Sequence, residues 1–264
     1  EALVRACLDP DEGVRLAAYG ALANLADPRG AALLLAATKK EQGQSLFQVQ
    51  GEALKLAEKL GPKGLVASAT AIYRDLIQFK NLRGPCLVGL GSFPDPGALE
   101  ELKATLESGD MELQAMAVQA AAATPGSQAT SFWIRALKEG RNRPSVLRVL
   151  RLRQDRAALP AVKELFRDAE GETRREALAA AAALDGAAAV PDLLPHWESG
   201  PVEDRAAAED LLSRLPGTDV TEELAQAAMI AGADAPETRA FLLRALAARN
   251  AAGHISLFWG AAAD

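Results

Sequence analysis

Two histidines, two cysteines and an aromatic content of 5% leave this 264-residue chain short of the side chains from which most active sites are assembled. The histidines, His196 and His254, stand in no His-Glu-x-x-His or Cys/His ligand pattern, so neither a metal centre nor another cofactor is expected. Cys7 and Cys86 lie two sequence repeats apart. Packed helix layers are about 10 Å apart, so a bond between them would span roughly 20 Å, beyond disulfide reach. Both are expected as small core residues. Threonine and isoleucine are sparse, and no apolar–polar alternation lasts long enough for a sheet, which leaves an all-α chain. Gly-x-Ser-x-Gly, the phosphate loop ending in Gly-Lys-Ser/Thr and a paired-carboxylate signature are all missing. Positive charge is in deficit: a net charge of −6 and a pI near 5.2 argue against nucleic acid as a general partner. The longest apolar runs fall short of the ~20 residues that cross a bilayer. With no initiating methionine and no leader pattern, the chain is expected to be a piece of something longer.

What the chain has instead is alanine and a period. Hydrophobic residues make up 49% of it, much of that alanine, the best helix former and small enough to let helices approach closely. An Arg or Gln repeatedly opens a helix that an Asp, Pro, Gly or Asn closes about eleven residues later. The opening positions are Arg15, Gln50, Arg83, Gln114, Pro144, Arg174, Arg205 and Arg239, spaced 30 to 35 residues apart. Such a period signals stacked two-helix repeats. Counting from Arg15, apolar residues fall at −1 (Val14), +3 (Ala18), +6 (Ala21), +7 (Leu22) and +10 (Leu25), one face of a 3.6-residue helix. The same offsets from Gln50 give Val49, Ala53, Leu56, Ala57 and Leu60; from Arg205 they give Asp204, Ala208, Leu211, Leu212 and Leu215. Partner helices are expected near 29–40, 64–79, 97–108, 127–139, 157–168, 187–199 and 219–231. Gly109, Gly140, Gly171, Gly200 and Gly232 fall near their ends, where left-handed caps favour glycine. The final segment, GHISLFWGAAAD, is expected to begin a ninth repeat.

The pattern Asp11-x-x-Val14-Arg15-x-x-Ala18-x-x-Ala21-Leu22-x-x-Leu25 resembles HEAT repeats of the short bacterial kind. The resemblance covers essentially the whole chain. It implies a right-handed α–α superhelix of about eight two-helix repeats, one domain over residues 1–264, whose second helices line a concave face. It also implies a hydrogen-bonded ladder between turn aspartates (Asp27, Asp155, Asp185) and helix-opening arginines (Arg15, Arg83, Arg174, Arg205, Arg239). Gln50, Gln114 and Pro144 should interrupt that ladder.

Four features bear on function. Residues 141–156, RNRPSVLRVLRLRQDR, hold six arginines. Arg141, Arg143, Arg148, Arg151 and Arg153 are candidate partner-binding residues, since guanidinium forks match carboxylates and phosphates; the competing reading is a solvated helix face. Arg151 stands at the +7 position that Leu22, Leu90 and Leu212 occupy elsewhere, beside Leu147 and Leu150, which the register points into the core. Gly84, Gly89 and Gly91 crowd one short helix, for tight packing or for close approach of a ligand. His196-Trp197 is expected as a half-buried ring beside a packed indole. No catalytic residue is expected. The expected function is a non-catalytic protein–protein interaction scaffold, free-standing or an accessory module of a larger multidomain protein, whose partner is another protein or a flanking domain. The enzyme alternatives implied by the resemblance are attachment of a bilin chromophore to an antenna protein and excision of alkylated bases from DNA.

Overall fold

The computed structural model describes residues 2–231 and 235–249. The described residues form sixteen α-helices and four short 3-10 turns, with no strand. In chain order the helices are α1 (Ala2–Ala6), α2 (Glu12–Leu25), α3 (Gly30–Ala37), α4 (Gly43–Leu60), α5 (Val66–Leu76), α6 (Arg83–Gly91), α7 (Pro96–Leu106) and α8 (Met111–Ala123). They continue as α9 (Ser127–Glu139), α10 (Arg143–Arg153), α11 (Leu159–Asp168), α12 (Gly171–Asp185), α13 (Val190–Ser199), α14 (Val202–Arg214), α15 (Thr218–Ala231) and α16 (Pro236–Ala248). Every opening position read from the sequence lies in an even-numbered helix, and every partner segment holds an odd-numbered one. The all-α repeat architecture is as expected. The ninth-repeat segment and Gly232 lie outside the described residues.

The helices gather into two compact units, Glu1–Phe132 and Trp133–Asp264, with the boundary inside α9. In the first unit α2, α4, α6 and α8 pack in succession, with α3, α5 and α7 as a second layer. In the second unit α10, α12, α14 and α16 form the succession, and α13 packs on α15 behind it. Starts are fixed locally. Asp11 and Asp110 accept the N–H groups of Val14 and Leu113 at 3.0 and 3.1 Å, which satisfies donors the helix cannot pair itself.

The repeat register holds with one correction. Arg143, not Pro144, opens the fifth repeat: its Nε donates to the carbonyl of Leu137, as Arg174 donates to that of Ala169. With that shift the +3 residue is buried in all eight repeats: Ala18, Ala53, Cys86, Ala117, Val146, Ala177, Ala208 and Leu242. The +7 residue is buried in all eight as well: Leu22, Ala57, Leu90, Ala121, Leu150, Ala181, Leu212 and Leu246. Leu147 and Leu150 are core residues as read, and Arg151 moves to a half-exposed edge. Two other expectations fail. Val14 and Leu25 are exposed: α2 is the first of the second helices, and only the five-residue α1 precedes it among the described residues. Gly200 has an ordinary negative φ, and a Cβ there would approach the carbonyl oxygen of His196 to 2.3 Å, so close packing rather than a left-handed cap requires it. The stretch Gly171–Ser199 is apolar and long enough to cross a membrane by length and composition alone. The structure divides it into α12 and α13 at Gly186 and buries half of its most apolar window.

Candidate functional site

The opening side chains form rungs between neighbouring repeats, but not with the expected turn aspartates. Arg15 pairs with Glu41 (2.8 Å), Arg83 with Asp110 (3.0 Å) and Arg174 with Asp204 (3.0 Å), each acid lying at or just before the start of the next second helix. Gln50 does not leave a gap: its Oε1 accepts from Asn81 Nδ2 at 3.3 Å, a neutral rung in the same place. Asp27 instead holds Arg29, Asp155 caps Ala157, and Asp185 holds Arg156 and Lys163. Arg205 lies over the indole of Trp197.

The Arg174–Asp204 rung ties α12 to α14, and the arginine segment beside them separates by role. Arg141 lies exposed ahead of α10, Arg143 turns back to α9, and Arg153 is half-buried, its pKa pushed down by desolvation. Arg148 and Arg151 converge on Glu176 of α12. Burial opposes the charge on Arg148, but its pairing with Glu176 at 2.8 Å and with Glu172 outweighs that and raises its pKa. Arg151 is held only loosely, 3.8 Å from Glu176 Oε2, an oxygen that accepts no hydrogen bond. Asp185 is taken by Arg156 and Lys163.

Arg151 forms one wall of a cleft of about 390 Å³ across α10, α12 and α14. Its floor is Ala179, Ala182 and Ala183, where the alanine run of α12 leaves no side chain large enough to fill the space. Asp210 and Arg214 of α14 form the opposite wall, joined to each other at 2.8 Å and both largely exposed. The cleft thus offers a flat apolar floor, a cation on each side and one carboxylate. Of the predicted site residues only Arg151 reaches it. Sequence reasoning missed Asp210 and Arg214, whose four-residue spacing looks like an ordinary surface pair.

Other candidate groups are structural. His196 is half-buried with its ring edge-on to Phe166, and burial followed by the charge of Arg174 lowers its pKa. Trp197 is buried, stacked on Phe241 at 4.3 Å, with its N–H donated to Glu209. Cys7 and Cys86 are free, buried thiols; desolvation raises both, Cys86 to about 12. A Cβ on Gly89 would meet the ring of Tyr73 at 2.3 Å, and one on Gly91 the carbonyl oxygen of Ala120 at 2.5 Å, so these two glycines serve tight packing.

No family model matches this chain, and no curated protein matches it. Among solved structures, it is similar to the complex of CpcE and CpcF of phycocyanin lyase from Nostoc sp. PCC7120, at 15% identity and a TM-score of 0.36, over 98% of this chain and 93% of that one. This finding corrects the expectations of a non-catalytic scaffold and of no enzyme: a lyase complex is among the solved structures matched, and neither expectation is carried further. Composition and missing motifs could not settle that point, because a fold does not determine what is grafted on it.

Proposed function

We propose that this chain is a HEAT-like repeat protein, running through residues 1–264, that holds a bilin for attachment to a partner protein, the lyase-type alternative above. The observation that carries the proposal is the alanine-floored cleft between Arg151 and Arg214. A linear tetrapyrrole is a flat conjugated ligand with two propionate carboxylates and central pyrrole N–H donors. Ala179, Ala182 and Ala183 would let its face approach closely. Arg151 and Arg214 would pair with the propionates, and Asp210 would accept from the ring N–H groups. Arg151 can turn to a ligand because its present contact is weak, while Arg148 keeps Glu176 neutralised. The cleft volume is in the range of small-molecule sites. Base excision gains no support here, since no aromatic side chain lines the cleft. The buried thiols of Cys7 and Cys86 are poor nucleophiles, so the bilin would be held without a covalent bond and passed on.

The test is a titration with biliverdin, followed by its red absorbance band. Saturable binding is expected, weakened about tenfold by Arg151→Leu or Arg214→Leu. A denaturing gel should show no bilin left on the chain. Binding that both variants leave unchanged, or a covalent adduct on Cys7 or Cys86, would reject the assignment.

A further inference from the structure

The second unit carries another trough, on the opposite helix layer, that the bilin cleft does not use. It lies between α13 and α15, holds about 380 Å³, and is lined chiefly by apolar surface that includes Pro191, Leu194 and Ile230. Ile230 is 77% exposed, a large apolar side chain standing in water. Thr238, in the first turn of α16, donates to Glu198 near the end of α13 at 2.9 Å, and Ala231 at the end of α15 lines the trough beside them. Glu223 lies seven residues before Ile230 on α15, about 10 Å along the helix axis at 1.5 Å per residue. The trough therefore has a carboxylate towards each end, Glu198 at one and Glu223 at the other, with apolar floor between. Neither has an ion-pair partner among the described residues.

We infer that this trough is a docking groove for an amphipathic helix of a partner protein, one that carries basic residues about two turns apart on either side of an apolar stripe. The charge pattern selects that occupant. Apolar anchors at i, i+3, i+4 and i+7 would cover Leu194 and Ile230, as in other helix-in-groove complexes. Lysines or arginines flanking the stripe would reach Glu198 and Glu223, whereas an acidic helix would bring like charges together. The inference does not depend on the bilin cleft, which lies on α10, α12 and α14.

The probes are two fluorescein-labelled helical peptides of fifteen residues with the same leucine stripe, one with lysine and one with glutamate at the flanking positions. Fluorescence anisotropy should show the lysine peptide binding at least tenfold more tightly, with a preference that shrinks as salt is raised. Glu198→Gln combined with Glu223→Gln should abolish the preference, and Ile230→Ser should weaken both peptides. Arg151→Leu should change neither. Glu198 and Ile230 are exposed and Glu223 and Arg151 half-buried, and thermal melts would establish that the variants fold. Equal binding of the two peptides, no binding of either at millimolar concentration, or a preference that survives the double substitution overturns the inference. It is overturned equally if the chain is a dimer that Ile230→Glu makes monomeric, since the groove would then be occupied by a second copy.

Discussion

Arg174 of α12 places Nη1 3.0 Å from Oδ2 of Asp204 on α14, and Asp204, at 1% exposure, is the one acidic residue buried as a whole among the described residues. Arg175 approaches the other oxygen of the same carboxylate at 3.7 Å. Removing the acid strands two arginines, one of them largely buried. Breaking such a pair in a fully dry site costs about 3 to 5 kcal/mol. Partial exposure of the arginines screens that, so Asp204→Ala is expected to destabilise the chain by about 2 to 3 kcal/mol. Urea unfolding measures it; a change below about 0.5 kcal/mol would show that the rung does not hold α12 to α14.

Asp204 also shows what was legible beforehand. It stands at the −1 position where Val49 sits in the second repeat, so the sequence marks it as a charge in an apolar place, although an acid in the first turn of a helix is also an ordinary surface feature. Helix number, order and the +3 and +7 core positions followed directly from the period, because every repeat solves the same packing problem. The fifth repeat misled because Pro144, fixed by the ring at the first helical turn, looked like the opener when Arg143 was. The cleft could not be read at all. Ala179 and Ala183 face it for the same reason that other alanines face the core, four-residue spacing, and only the neighbouring helices decide which stripe stays open.

Two glycines in second helices should respond oppositely to alanine. At Gly91 a methyl would sit 2.5 Å from the carbonyl oxygen of Ala120, a backbone atom that cannot swing aside. Gly91→Ala should cost about 1 to 3 kcal/mol through overpacking, despite its better helix propensity. At Gly51, exposed in α4, an added Cβ meets nothing within 4 Å. Gly51→Ala should therefore stabilise by about 0.5 to 1 kcal/mol. Thermal melts of both decide it, and a stabilising Gly91→Ala would mean that α6 and α8 are not packed as described.

Stability should fall as the solution is acidified through the histidine range. Burial first, then Arg174, lowers the pKa of His196, with Asp204 and Asp192 opposing. The folded chain therefore takes up its proton at lower pH than the unfolded one. Between the unfolded value, about 6.5, and the lower folded one, the unfolded state binds more protons, so stability drops as pH falls across that window. The slope is at most about 1.4 kcal/mol per pH unit. In a His254→Gln background, His196→Leu should flatten the curve between pH 7.5 and 5. A further loss below that belongs to the carboxylates held below their ordinary values, Glu41, Asp110, Asp27 and Asp185. Backbone hydrogen bonding from Leu113 chiefly holds Asp110 below its ordinary value, and the hydrogen bond from Arg15 holds Glu41 there. An unchanged slope in the leucine variant would place the titration elsewhere.

Arg148 and Arg151 share Glu176 but should separate cleanly under substitution. Arg148 is bonded to two carboxylates and its pairing raises its pKa, so Arg148→Leu leaves Glu176 facing only a distant cation. That change should cost about 1 to 2 kcal/mol of stability, towards the low end for a hydrogen bond between charged groups because the site is partly exposed. Arg151 sits at a half-exposed edge and holds Glu176 at 3.8 Å, so Arg151→Leu should alter stability by less than about 0.5 kcal/mol. The double variant then tests sharing. If Arg151 takes over when Arg148 is gone, removing both should cost more than the two single losses added together, by the logic of a double-mutant cycle. Strict additivity would mean that Arg151 contributes nothing to Glu176 in the folded chain and is free for the cleft. A large single loss at Arg151, above about 2 kcal/mol, would contradict its placement at the edge and the one-residue register shift of the fifth repeat with it.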